Sequence, residues 1–233
     1  MYNFMWQRLA VYSAKYQLQQ PAVQEFNSTI DEVQRELISM LAPYANMNEK
    51  VRALLEPWIR RIYDTSDQNG QIDFPQRVGV EEEVTETFFR VISMSVTGAG
   101  GTATLFPIHP IMESEITIAQ LMPQRAPDLT KNRAYYNVYD GVIQLYPMQG
   151  IPYLMWYLVY PVAAILAFNY EMQNGEYVQV YDPDNTVDLY WNENASNILL
   201  YMLLQKYGIS VRDDLIAEFG RIGITTAIAE PAK

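Results

Sequence analysis

Histidine occurs once, at His109, and cysteine not at all, so the side chains that could do chemistry here are few and mostly carboxylates. A lone histidine leaves no two-histidine metal motif, and any serine triad would have to be built on it. It stands between Pro107-Ile108 and Pro110 with no nucleophile-elbow pattern around it, and it reads as a loop histidine. The run Glu81-Glu82-Glu83 would send its side chains alternately to opposite faces of a strand, which makes a solvated edge and not an acid–base pair. Asp182, Asp184 and Asp188 approximate calcium-loop spacing but lack the sharp-turn glycine and the terminal bidentate glutamate. Gly98-Ala99-Gly100-Gly101 is followed by Thr102-Ala103-Thr104 where a phosphate cradle needs Lys-Ser/Thr, so it predicts a hairpin tip. No catalytic, metal-binding or cofactor-binding residue is assigned on this basis, and a non-enzymatic protein without a cofactor is expected.

The elements that would position any site centre on residues 146–208. Asn174-Gly175 is a strong two-residue hairpin signal, and Asp182-Pro183-Asp184-Asn185 is a second turn. A type I′ loop at Asn174-Gly175 sets Met172 opposite Tyr177, Tyr170 opposite Gln179 and Phe168 opposite Tyr181. Continuing through the second turn predicts a third strand carrying Val187, Leu189 and Trp191. The middle strand, 176–181, would then be apolar on both sides and covered twice, by its own helix or by another chain. Asn192 or Asn194 caps a following helix with Ala195, Ile198, Leu199, Met202 and Leu203 on one face, ended by Gly208.

Upstream, Val23, Phe26, Ile30, Val33, Leu37, Met40 and Leu41 keep helical spacing up to Pro43. A second helix starts at the cap Asn48 and is bent or ended by Pro57 ahead of Trp58, Ile59 and Ile62, giving a helical hairpin. Arg60-Arg61 reads as surface charge at a helix end. Residues 84–96 read as a strand, 111–122 as a short helix, and 134–139 with 142–146 as a strand pair joined at Asp140-Gly141. The run Ile151–Phe168 is 18 residues without formal charge, close to the lower limit of a membrane span. Pro152 and Pro161 interrupt it and no Lys or Arg flanks it, so strand, turn and strand is the expectation, with a membrane helix as the alternative.

The fold class that results is α+β: an N-terminal helical hairpin plus an antiparallel β-sheet with C-terminal helices. The expected organisation is an aromatic arm over 1–21, a single domain over 22–220 and a tail over 221–233. The arm carries Arg8 and Lys15 and no acid through residue 24, while the remainder of the chain, whose total is −11, carries −13. Such an acidic body disfavours gripping nucleic acid, and a basic arm on it suggests a contact with a neighbour. Met5, Leu9, Tyr12 and Tyr16 share a helical stripe that packs either on its own domain or on another subunit. The 18 tyrosines and 11 methionines suit assembly surfaces, tyrosine giving stiff area and methionine adaptable area. The candidate subunit-interface residues are Tyr2, Phe4, Trp6, Arg8, Tyr12, Lys15, Tyr16, Tyr177 and Tyr181.

The order of landmarks FNSTIDEVQRELISMLAPY, NEKVRALLEPW, PQRAPDLTKNRAYYNVYDGVIQLYP, WYLVYP, NGEYVQVYDPDNTVDLYW and LQKYGIS resembles virion structural proteins of crAss-like tailed phages. The resemblance runs from about Phe26 to Gly220, and its departures are Val159-Tyr160, where such proteins carry a basic residue before the proline, and the arm at 1–20. It implies a non-enzymatic subunit of a homo-oligomeric ring in the neck or tail, assembled in the host cytoplasm. Its partners would be other virion proteins such as portal or tail proteins. DNA would pass through the lumen without specific binding, and no membrane would be involved. The alternatives are a glycan-binding or glycan-cleaving tail component, using tyrosines with Asp182 or Asp184, and membrane attachment through 151–168.

Overall fold

The computed structural model describes residues 2–15, 21–75, 77–78, 85–98, 105–173 and 176–207. Its helices are α1 (Tyr2–Lys15), α2 (Val23–Leu41), α3 (Glu49–Leu55), α4 (Glu113–Leu121) and α5 (Glu193–Lys206). Strands β1 (Ile59–Thr65), β2 (Gln71–Asp73), β3 (Arg77–Val78), β4 (Thr85–Glu86), β5 (Phe88–Thr97) and β6 (Leu105–Pro110) occupy the first half. Strands β7 (Tyr135–Tyr139), β8 (Val142–Tyr146), β9 (Pro152–Val159), β10 (Phe168–Gln173) and β11 (Glu176–Tyr181) follow. The fold is α+β. The chain divides into two compact units, Met1–Pro57 with Pro161–Lys233, and Trp58–Tyr160. The arm falls within the first unit, and every strand of the large sheet lies within Trp58–Tyr160.

In the first unit, the three-four spacing of α2 puts Phe26, Ile30, Val33, Leu37, Ile38 and Leu41 on one fully buried stripe. Each such side chain contributes about 1.5–3 kcal/mol on leaving water. That stripe packs against α5, whose Ala195, Ile198, Leu199, Leu203 and Leu204 are buried in turn. Asn192 caps α5 by accepting from the Ala195 N–H at 2.8 Å and donates from its amide to the Ala53 carbonyl at 3.0 Å. Asn48 caps α3 by accepting from Lys50 and Val51 N–H. At the far end of α5, Lys206 reaches Glu32 at 2.8 Å and Glu36 at 3.2 Å, and these bonds raise the lysine pKa.

The second unit is a mixed sheet in the order β1-β9-β5-β6-β7-β8-β2, antiparallel except where β6 runs parallel to β7. Its two outermost strands, β1 and β2, are successive in the chain and joined by residues 66–70, so the sheet must curl toward itself. Ser66 fastens the bend: its hydroxyl donates to the Gln149 carbonyl at 3.1 Å and accepts from Ile151 N–H at 2.9 Å. Gly70 completes it with φ of 75°, a backbone state that excludes most other residues. Met94, Val96, Ile108, Tyr136, Ile143, Leu145, Tyr153 and Met155 fill the unit's core. Burial pushes the Tyr153 phenol up to about 12, with Asp64 and Tyr157 adding to the shift.

Several expectations change here. Residues 186–191 form no third strand. Val187 makes an isolated bridge with Ile165, and Leu189 and Trp191 sink into the first unit's core, where the indole N–H donates to Gln34 Oε1 at 2.9 Å. The expected twice-covered strand β11 therefore stands in a two-stranded hairpin. Arg60-Arg61 lies on β1 and not at a helix end, because Pro57 stops the helix and Ile59–Thr65 pairs with β9. Arg61 sits 5.4 Å from the centre of the Trp156 ring. His109 is on strand β6, paired with Tyr135, and not in a loop. The sheet is antiparallel as expected, apart from this one parallel pair. The stretch 151–168 is β9 followed by irregular chain, and among the described residues no helix is long and apolar enough to cross a membrane. The Asn174-Gly175 turn, the glycine run after Gly98, Glu81–Glu83, Gly208 and the tail 221–233 lie outside the described residues.

Candidate functional site

The hairpin β10–β11 carries an unusual amount of apolar surface. Its register pairs Phe168 with Tyr181, Tyr170 with Gln179 and Met172 with Tyr177, as the turn signal predicts. Alternation then gathers Phe168, Tyr170, Met172, Tyr177, Gln179 and Tyr181 on one face. Tyr170, Met172 and Tyr177 are 70%, 64% and 72% exposed, so most of that face has no cover among the described residues. An isolated two-stranded hairpin is marginal in water, and this one is held from its root.

The root is built by Asp182. Its carboxylate accepts from the Asn185 amide at 2.6 Å, the Asn169 amide at 2.8 Å, Asp184 N–H at 3.1 Å and Asn185 N–H at 3.3 Å. The Asn185 side chain first, then the backbone donors and Asn169, hold the Asp182 carboxyl below its ordinary value of 3.8. Thr186 donates to the Asp182 carbonyl at 2.6 Å and accepts from Ala167 N–H at 3.1 Å, tying the turn to the strand's beginning. A carboxylate so occupied stays ionised, the opposite of what a glycosidase general acid requires.

Beside the root, α1 meets the hairpin. Trp6 stands edge-on to Phe26 with ring centres 4.9 Å apart and lies 6.1 Å from Phe168, which contacts Tyr181 at 6.0 Å. Trp6, Pro21, Phe168 and Tyr170, with Gln24 and Gln179, line a cleft of about 610 Å³ bearing no formal charge. Aromatic walls interleaved with amides and other polar groups suit a neutral guest.

The structure sorts the arm residues that the sequence nominated. Met5, Leu9 and Tyr12 are buried within the first unit, so this stripe packs on its own chain. Trp6 is half-buried at the cleft, while Phe4, Arg8 and Lys15 are exposed, with the Arg8 guanidinium 4.8 Å from the Phe4 ring centre. Tyr2 opens α1, and Tyr16 lies outside the described residues. Tyr177 is exposed on the hairpin face and Tyr181 is half-buried at its root. Phe168, Tyr170 and Met172 join them although the sequence reading nominated only Tyr177 and Tyr181 on this hairpin; the cross-strand register was the signal that could have found them. His109 is exposed on β6, and among the described residues no cluster of His, Cys, Asp and Glu could hold a metal ion. No protein-family model matches the chain, and neither does any curated protein.

Proposed function

We propose that this protein is a structural subunit of a tailed-phage particle that assembles into a ring in the neck or tail. One observation carries the reading: the β10–β11 hairpin is rooted firmly by Asp182 yet presents Tyr170, Met172 and Tyr177 without cover among the described residues. A surface of that kind, held out and apolar, marks a protein–protein contact. The resemblance of the sequence landmarks to virion proteins of crAss-like phages supplies the setting. An acidic body is compatible with a lumen that DNA traverses without adhering, since like charge opposes phosphate binding. The test is the mass of the purified full chain by sedimentation velocity over a graded concentration series, with an averaged electron-microscope view of the product. A closed oligomer is expected. A monomer that persists at the highest concentration overturns the reading.

A second reading, a glycan-binding tail component, is favoured by the uncharged aromatic cleft, because aromatic faces and amides are groups that hold sugar rings. A glycan array read alongside Trp6→Ala separates the two. Array binding lost in that variant supports this reading, and an array without signal removes it.

A further inference from the structure

Resting on the ring reading, we infer that the guest of the aromatic cleft and hairpin face is helix α4 of the next copy, laid in by its outward stripe. Helix α4 is inverted for a surface helix. It buries only Ile116 and Ala119, while Ile118, Leu121 and Met122 are exposed, Leu121 at 81%. Ile118 and Leu121 stand at i and i+3 on the helix, two of the anchor positions by which an amphipathic helix fills a groove, and Met122 adds apolar surface where the chain leaves it. Met122 is extended and ends the helix, and the chain then turns, with Arg125 and Ala126 N–H both bonding to the Met122 carbonyl at 2.8 Å.

Charge selects the same pairing. From Ala134 to Gln205 the sequence contains no Lys or Arg, and around the hairpin it carries Glu171, Glu176, Asp182, Asp184 and Asp188. The segment that follows α4 carries Arg125, Lys131 and Arg133 against the single Asp128. Glu171 and Glu176 stand on the hairpin face opposite the tyrosines, across a ribbon thinner than the Debye length of about 8 Å at physiological salt. They steer the basic segment that follows α4 toward the hairpin, the acids Glu113 and Glu115 lying at the other end of the helix, and need not pair with it directly. The cleft volume of about 610 Å³ lies within the range of pockets that enclose a compact guest, which suits a few aliphatic side chains. The joint is heterologous: the two patches differ, so each copy uses one to hold its neighbour and offers the other to the next.

A heterologous joint has a signature that a self-complementary one lacks. Tyr177→Glu removes the hairpin patch and leaves α4 intact, and Leu121→Asp does the reverse. Each variant alone is expected to assemble at least about tenfold more weakly than the unaltered chain, the loss of one buried large side chain. Both residues are exposed in the chain, so circular dichroism of each variant is expected to match the parent. Mixed one to one, the two variants retain a single intact joint and are expected to give a dimer and nothing larger. A mixture that stays monomeric, or variants that assemble as well as the parent, overturns the inference. In either case a parent chain that still forms a ring leaves the ring reading standing. A parent chain that never assembles overturns both.

Discussion

Helix α1 decides whether the arm is part of one subunit's core or a strap between subunits, and Leu9→Ala tests it. Leu9 is 0% exposed and Met5 1%, on the side of the helix that faces the first unit. Removing a fully enclosed leucine side chain costs its transfer energy and leaves a cavity, about 2–5 kcal/mol together. For a chain of this size each kcal/mol moves the melting temperature by about 2–4 °C, so a fall of roughly 5–15 °C is expected. Val11→Ala on the same helix is the control: at 65% exposure it is expected to change stability by no more than about 0.5 kcal/mol. Both would be followed by circular dichroism melts at a concentration where the chain is monomeric and at one about 100-fold higher, since only a shared arm makes stability depend on concentration. If Leu9→Ala melts with Val11→Ala in the dilute sample and separates from it only in the concentrated one, the intramolecular seat of α1 is refuted.

Gly70→Ala is expected to destabilise the sheet by about 2–4 kcal/mol, because the left-handed backbone is strained for alanine and its Cβ would stand 2.9 Å from the Leu145 carbonyl oxygen. Gly141→Ala has the same backbone problem at φ of 80° but open space around it, so a denaturant titration should place it near 1 kcal/mol, about the cost of strain alone. Asp182 is one acid-sensitive point: its folded pKa lies below 3.8, so its stabilisation is complete above 3.8 and lost as pH falls through the folded value. Hydrogen exchange at Asp182 and Ala167 N–H should therefore accelerate in that window, and Asp182→Asn should flatten the response. Tyr153 gives the alkaline counterpart. Its phenol is raised from 10.0 to about 12, so the contribution is intact below 10 and lost as pH rises through about 12. Tyrosinate absorbance should show a late-titrating group that Tyr153→Phe removes, with unfolding displaced to higher pH.

What was legible in the sequence was local. The register of β10 against β11 followed from one turn dipeptide, and Asp140-Gly141 marked the β7–β8 turn because both residues adopt positive φ there. The caps Asn48 and Asn192 were legible because a cap acts over three residues. What escaped was pairing at a distance. Ile59–Thr65 lies after a helix and carries two arginines, and only its partner β9, nearly a hundred positions on, makes it a strand. The parallel contact of His109 with Tyr135 leaves no periodic trace in either segment. The segment from Thr186 to Trp191 alternates like a strand, but its tryptophan finds Gln34 on α2, and that bond with the surrounding burial outweighs another ladder. The candidate site divided in the same way. The tyrosines of the hairpin could be named from the turn, whereas the cleft needed α1, the start of α2 and the hairpin to converge.

That convergence bears on affinity as well as on shape. A free two-stranded ribbon would lose most of its conformational freedom on docking, and that entropy would be subtracted from whatever its tyrosines gain. Here the ordering is done beforehand. The Asp182 turn binds Asn169 in β10, Thr186 holds Ala167 just before it, and Phe168 rests between Trp6 and Tyr181. The buried half of α1 keeps Trp6 in place, which is why an arm that reads as an interface in the sequence can serve one from inside its own unit. Tyrosine suits the outer part, since it presents a large area with little rotamer freedom to lose. The same chain thus spends its helices and its turn on holding the ribbon, and in the proposed ring the ribbon's face is the surface a neighbour would meet.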